Sequence, residues 1–173
     1  MRCVCLDVGC GGNDRYGFNP HCPKHCEVVF LDVAFPMLDI VQLVSNSASM
    51  HFVVASADKL PLRSETIDIT YMWQVLEHVA DDYAALCETH RVLKQGGMLR
   101  LAVPNFLSKN ARGDPDHKHV YNIFSLRRKI RKAGFKHIFM EQRAGSLLPK
   151  PLRLLAHFLI NILTDDLVIT ATK

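Results

Sequence analysis

Short apolar runs, each closed by a glycine, a proline or an acid, alternate along this chain with segments of helical spacing. Cys3 to Val8 is the first run, stopped by Gly9, and reads as a buried strand. Glu27 to Leu31 is the second and ends at Asp32. His51 to Ala55, Ile67 to Trp73, Met98 to Val103, His137 to Glu141 and Leu167 to Thr172 continue the series. Between them, Pro36 to Val44 has helical spacing, with Pro36 suited to a first turn. Asp81 or Asp82 is placed to cap a helix running to about Leu93, and Gly96-Gly97 then predicts a turn. Ser125 to Ala133 predicts a helix capped by Ser125 and stopped by Gly134. Leu152 to Leu163 predicts another after Pro151. Such alternation implies an α/β fold, a largely parallel sheet with helices on both faces. In such sheets ligands lie beyond the carboxyl ends of the strands, so those ends are where chemistry is sought.

Composition narrows the class. A length of 173 residues suits one domain, and 49% apolar with 22% charged residues excludes a disordered or collagen-like chain. The net charge of +4 permits an anionic partner without demanding nucleic acid. No signal peptide opens the chain, because Asp7 and the glycines cut its first apolar run short. The longest apolar stretch, Leu152 to Leu163, carries Arg153 and His157 and falls short of the ~20 residues a spanning helix needs. A cytoplasmic location is therefore expected, with all six cysteines reduced. Cys3 and Cys5 then read as strand filling.

The first strand runs into Leu6-Asp7-Val8-Gly9-Cys10-Gly11-Gly12-Asn13. Glycines there let the backbone turn tightly and approach a ligand. A dinucleotide loop would place a third glycine where Asp14 stands, so the nicotinamide reading fails. At the tip of the second strand, Asp32 offers a carboxylate able to accept both hydroxyls of a ribose. Loop and acid together predict a nucleoside-containing ligand.

These segments, in this order, resemble the Rossmann-like S-adenosylmethionine-dependent methyltransferases, class I, of the group called methyltransferase type 11. The resemblance is carried by LDVGCGGN at 6–13, VVFLD at 28–32, Ala57-Asp58-Lys59-Leu60-Pro61-Leu62 running into Glu65-Thr66-Ile67-Asp68-Ile69, and Val75-Leu76-Glu77-His78-Val79 through Arg91-Val92-Leu93-Lys94-Gln95-Gly96-Gly97. It implies a seven-stranded, mostly parallel sheet with an antiparallel last strand, in one methyltransferase domain over 1–173. It also implies S-adenosylmethionine as cofactor and assigns residues to it. Asp7, Gly9 and Gly11 would lie under the methionine part, Asp32 at the ribose, Asp58 with Lys59 at the adenine edge, and Met72 near the sulfonium.

Methyl transfer to a positioned acceptor needs little from the protein beyond alignment, worth roughly 7–11 kcal/mol. His78 is the candidate base, since imidazole titrates near neutrality. Gln74-Val75-Leu76-Glu77-His78 also resembles the E-x-x-E-H pattern of small-RNA 2′-O-methyltransferases and ubiquinone-pathway O-methyltransferases, whose acids and histidine hold a divalent ion. A histidine follows the fifth strand of the RNA enzymes, and Asp116-His117-Lys118-His119 stands at that place here. Gln74 replaces the first acid, and an amide is a poorer ligand for a hard cation, so no metal is assigned.

The run His21-Cys22-Pro23-Lys24-His25-Cys26 holds four potential zinc ligands, but their spacing is unlike paired C-x₂-C knuckles. Gly17, Pro20 and Pro23 shorten or break the helix that the family carries between loop and Asp32. The helices that usually precede the first strand of the family are not seen in this sequence, which leaves three expectations: an open cofactor cleft, one covered by a partner or a second copy, or an incomplete chain start. Arg127, Arg128, Lys129, Arg131, Lys132 and Lys136 form a basic cluster read as a solvated helix face. The expected reaction is in-line methyl transfer to a small-molecule or sugar- or lipid-linked acceptor, nucleic acid being possible but not favoured. The competing readings are an RNA methyltransferase and a non-catalytic binding or regulatory subunit of the same fold.

Overall fold

The computed structural model describes residues 3–11, 22–23, 25–34, 50–140 and 165–173. Seven strands form one sheet: β1 (Val4–Val8), β2 (Glu27–Asp32), β3 (Met50–Val54), β4 (Ile67–Trp73), β5 (Leu93–Pro104), β6 (Lys136–Met140) and β7 (Asp166–Thr172). Their spatial order is β3-β2-β1-β4-β5-β7-β6. β1 pairs in parallel with both β2 and β4, β2 with β3, and β4 with β5. β7 runs antiparallel between β5 and β6. The order reverses between β1 and β4, and such a reversal opens a crevice at the carboxyl edge. Val8 pairs with Leu31 and with Met72, so the ends of β1, β2 and β4 rise to one level there.

The helices among the described residues are α1 (Asp82–Val92), α2 (Lys109–Gly113) and α3 (Ile123–Lys132). Asp81 caps α1, its side chain accepting from Ala84 N at 2.8 Å. α1 and α3 bury Ala85, Leu86, Leu126 and Ile130 in the main core with Leu6, Val8 and Leu101, on one sheet face. Arg127, Arg128, Arg131 and Lys132 of α3 remain exposed, which makes its basic side a solvated face. The predicted helices 36–44 and 152–163 lie outside the described residues.

Two local expectations are corrected. The cap of α3 is Asn122 rather than Ser125; Ser125 instead completes a reciprocal capping box, its backbone N–H bonding Asn122 Oδ1 at 2.8 Å. Asn and Ser both satisfy helix N–H groups, so the pattern alone could not rank them. Gly96-Gly97 does not form a free turn between helix and strand. It lies inside β5, where the register slips between the Ile67–Leu93 and Ile69–Met98 pairs. Gly97 is needed there because a Cβ would stand 2.8 Å from the Lys94 carbonyl oxygen.

The cysteines give a third correction: they are not all reduced. Cys3 is bonded to Cys26 and Cys5 to Cys22, while Cys10 and Cys87 are free. The alternation of β1 puts Cys3 and Cys5 on one face, and the segment entering β2 brings Cys22 and Cys26 against it. Cys5, Cys22, Cys26, Val28, Phe30 and Tyr71 form a second, smaller core on this face. The expectation of six reduced thiols, drawn from a cytoplasmic location, is overturned by these two pairs. Among the described residues, no helix is long and apolar enough to cross a membrane.

Candidate functional site

The reversal between β1 and β4 opens a cleft of ≈ 380 Å³, lined among others by Gly9, Asp32, Asp58, Gln74, Val75 and His78. The chain leaves β1 through Gly9, whose φ is +69°. The Gly9 and Cys10 N–H groups both donate to the Leu31 carbonyl, at 2.7 and 3.3 Å. A Cβ on Gly9 would overlap the Val75 Cγ2 methyl, so only glycine lets the loop cross the end of β4 this closely.

Asp32, the last residue of β2, is fixed from two sides. Its Oδ2 accepts from Gly11 N at 3.0 Å and its Oδ1 from Ala34 N at 3.0 Å. Each oxygen keeps lone-pair capacity for a ligand hydroxyl. Asp7 lies one turn of the pleat before Gly9 and is buried; burial pushes its carboxyl up to about 7. Burial also pushes the Cys10 thiol up to about 12, with the charges of Asp7 and Asp32 adding to it.

The opposite wall begins where β4 ends. Gln74 has φ +55°, an uncommon conformation for a non-glycine residue. It is held by its N–H to the Ala102 carbonyl at 2.9 Å and by its side-chain amide, which donates to Asp166 Oδ1 at 3.1 Å. The turn that follows, closed by His78 N to Val75 O at 2.9 Å, sets His78 in the wall. His78 Nδ1 lies 3.3 Å from the Asp116 carbonyl, and its ring meets that of His117 edge-on at 4.7 Å.

Behind His78, Glu77 is 1% exposed and neither carboxylate oxygen has a hydrogen-bond partner among the described residues. Burial, with the nearby charges of Asp166 and Asp114, pushes its carboxyl up to about 7. Donor atoms of Glu77, His78 and His117 lie within 4.8 Å of one another. One carboxylate and two imidazoles suit a borderline divalent cation better than Mg²⁺. His119 takes no part: its Nε2 meets the Val79 carbonyl at 2.9 Å.

Of the residues expected at the cofactor, the structure thus brings Gly9, Asp32 and Asp58 into one cleft with His78. Gly11 joins through its bond to Asp32. Asp7, Met72 and Lys59 do not line the cleft; Asp7 is buried below Gly9. Met72 is 0% exposed within the main core, and Lys59 is exposed beyond the turn closed by its own N–H to Ser56 O. Val75 and Lys118 line the cleft without having been singled out for it. The sequence offered Val75 only as the first residue of the segment Val75-Leu76-Glu77-His78-Val79, two positions past the fourth strand.

Residues 6–101 match the family described as methyltransferase domain. The chain belongs to that family. A Mycobacterium tuberculosis protein named "Probable S-adenosylmethionine-dependent methyltransferase" is 27% identical over 146 residues, covering 80% of this chain and 52% of that protein. A ubiquinone biosynthesis O-methyltransferase of Bartonella tribocorum is 30% identical over 102 residues, covering 58% of this chain and 40% of its own length. The crystal structure of a SAM-dependent methyltransferase from Archaeoglobus fulgidus superposes with a TM-score of 0.71 at 18% identity, over 99% of this chain and 86% of that one. The chain spans about half the length of the curated relatives it matches. The sheet order with β7 inserted antiparallel is thus the methyltransferase form of the Rossmann-like fold.

Proposed function

We propose that this methyltransferase domain binds S-adenosylmethionine in the cleft and directs its methyl group to a small-molecule or sugar- or lipid-linked acceptor. The observation that carries the reading is Asp32, presented at the tip of β2 and locked to the glycine loop through Gly11. A carboxylate with both oxygens fixed by backbone N–H groups is pre-organised for the two hydroxyls of a ribose.

When bound, the cofactor supplies an electrophilic methyl on a sulfonium. The chain's residues do the rest. Gly9 and Gly11 would let the backbone pass under the methionine part, and Asp58, which lines the cleft, would meet the adenine. His78 is the residue placed to take an acceptor proton. With Nδ1–H donated to the Asp116 carbonyl, its Nε2 lone pair is left to accept one. Lys118, also in the wall, adds positive charge for an acidic acceptor group. A cation is the alternative to His78 as base: the oxygens of Glu77, without a partner among the described residues, fit one held with His117 and the same His78 lone pair, and it would polarise the acceptor oxygen in place of proton removal by His78.

The test is calorimetric titration of the purified chain with S-adenosylmethionine and S-adenosylhomocysteine, with NAD as control and Asp32→Ala in parallel. Micromolar binding of both adenosyl ligands, lost in Asp32→Ala and absent for NAD, supports the reading. A folded chain that binds neither overturns it.

A further inference from the structure

On the sheet face served by the smaller core, four cysteines and a histidine converge from two separate pieces of chain. Cys3 and Cys5 come from β1 and its approach; Cys22, His25 and Cys26 come from the segment entering β2. A turn closed by Cys26 N to Pro23 O at 2.9 Å gathers that segment. The donor atoms of Cys3, His25 and Cys26 lie within 4.8 Å of one another. Cys5 and Cys22, their Cα atoms 5.9 Å apart, are buried beside them, one pleat period further along β1.

A disulfide needs two sulfurs and no imidazole. An imidazole beside the Cys3–Cys26 pair, with the two sulfurs of the Cys5–Cys22 pair adjacent, offers on reduction the donors a tetrahedral ion needs. The run at 21–26 offers too few convergent ligands by itself; β1 supplies the ones it lacks. We propose that, in the reduced protein, these residues form a structural zinc site, with Cys3, Cys26 and His25 as three ligands and a thiolate of the neighbouring Cys5–Cys22 pair as the fourth. The two disulfides are the oxidised state of the same sulfurs.

The chemistry balances simply. Each disulfide takes two electrons and two protons from a dithiol reductant, which leaves as its own cyclic disulfide. Zn²⁺ then displaces the thiol protons as it binds. Thiolates and imidazole favour Zn²⁺ over hard cations, and four protein ligands leave no open position, so the site is structural rather than catalytic. Its mechanical role follows from its place. The same β1 carries Asp7 and leads into Gly9, and the cofactor loop lies in sequence between the two cysteine-bearing pieces. The cluster therefore ties the strand that enters that loop to the segment that enters β2.

The full chain is reduced with dithiothreitol, freed of metal and of reductant under anaerobic conditions, and titrated with ZnCl₂ against a chromophoric zinc chelator. CoCl₂ is titrated in parallel. The expected result is one tight equivalent of metal per chain that survives His117→Ala and is lost in Cys26→Ser. Bound Co²⁺ should show thiolate charge-transfer absorption, and oxidation by a small-molecule disulfide should release the metal. The Co²⁺ spectrum is read on the unsubstituted chain, so it stands even if Cys26→Ser fails to fold. Reduced protein lacking the charge-transfer band, or zinc held equally well by a folded chain carrying both Cys26→Ser and His117→Ala, overturns the proposal.

Discussion

Gly11 donates its N–H to Asp32 Oδ2 across 3.0 Å, tying the glycine loop after β1 to the acid that ends β2. The bond fixes the carboxylate without consuming its capacity. Asp32→Asn replaces one acceptor oxygen with an amide nitrogen, which meets either a ligand hydroxyl or a backbone N–H as a donor facing a donor. We expect S-adenosylmethionine binding to weaken by ~1.5–3 kcal/mol, roughly tenfold to a hundredfold, in isothermal titration. An unchanged dissociation constant would remove Asp32 from the ribose.

Gly9→Ala should damage the same loop by a different route. Its Cβ would overlap the Val75 Cγ2 methyl, and φ of +69° is itself unfavourable for alanine. A loss of ~1–3 kcal/mol in thermal unfolding is expected, with weaker cofactor binding. Val75→Ala in the same chain should return part of that loss, because it relieves the overlap but not the dihedral. If the double variant is no better than Gly9→Ala alone, the contact is not the cause.

His78→Ala should leave cofactor affinity nearly unchanged and lower turnover by ~10²-fold or more once an acceptor is in hand. The test is the split between the two quantities. Equal loss in both would make His78 a packing residue of the cleft wall.

Asp82 gives a prediction about acid. Burial alone would raise its carboxyl, but the bonds from Lys129 and Tyr121 outweigh burial and hold it below the ordinary carboxylate value. A lowered folded-state value means stability that is present above the unfolded value of about 4 and is lost as pH falls through the folded one. Denaturant midpoints should therefore drop below pH 4 in the parent chain and drop less in Asp82→Asn. At neutral pH that variant should be weaker by ~1–3 kcal/mol, a modest figure because Lys129 keeps part of its side chain in water.

The three-donor set at Glu77 predicts a cation response. Ni²⁺ added to the metal-free, disulfide-bonded chain should raise its melting temperature, and Glu77→Gln should abolish the rise, since a neutral amide is the poorer ligand. A rise that survives Glu77→Gln would place the ion elsewhere.

Much of this was legible in the residues, for stated reasons. The parallel strands are buried on both faces, so Cys3–Val8 and Glu27–Leu31 appear as continuous apolar runs whose ends are marked by Gly9 and Asp32. Asp81 announced α1 because a cap acts locally. What depended on distant pairing was hidden. Met72 and Val75 are close in sequence, yet one packs in the core and the other against Gly9, because the chain leaves strand geometry at Gln74. His117 reaches His78 only through the path taken after β5. The pairing of Cys3 and Cys5 with Cys26 and Cys22 spans 23 and 17 residues, and no spacing rule joins an alternating strand to a proline-bearing loop.

The antiparallel seating of β7 has a consequence for the order of assembly. Because β7 runs against its neighbours, its first residue, Asp166, arrives at the edge where β4 and β5 finish, and there it receives the side chain of Gln74. During synthesis the glycine loop, Asp32 and His78 all emerge long before Asp166. Until it emerges, the wall beside His78 lacks its brace, and the sheet lacks the strand that joins β5 to β6. The cleft is a product of the last strand as much as of the first, so a nascent chain that stalls before β7 would carry every ligand-facing residue and still not hold them in place.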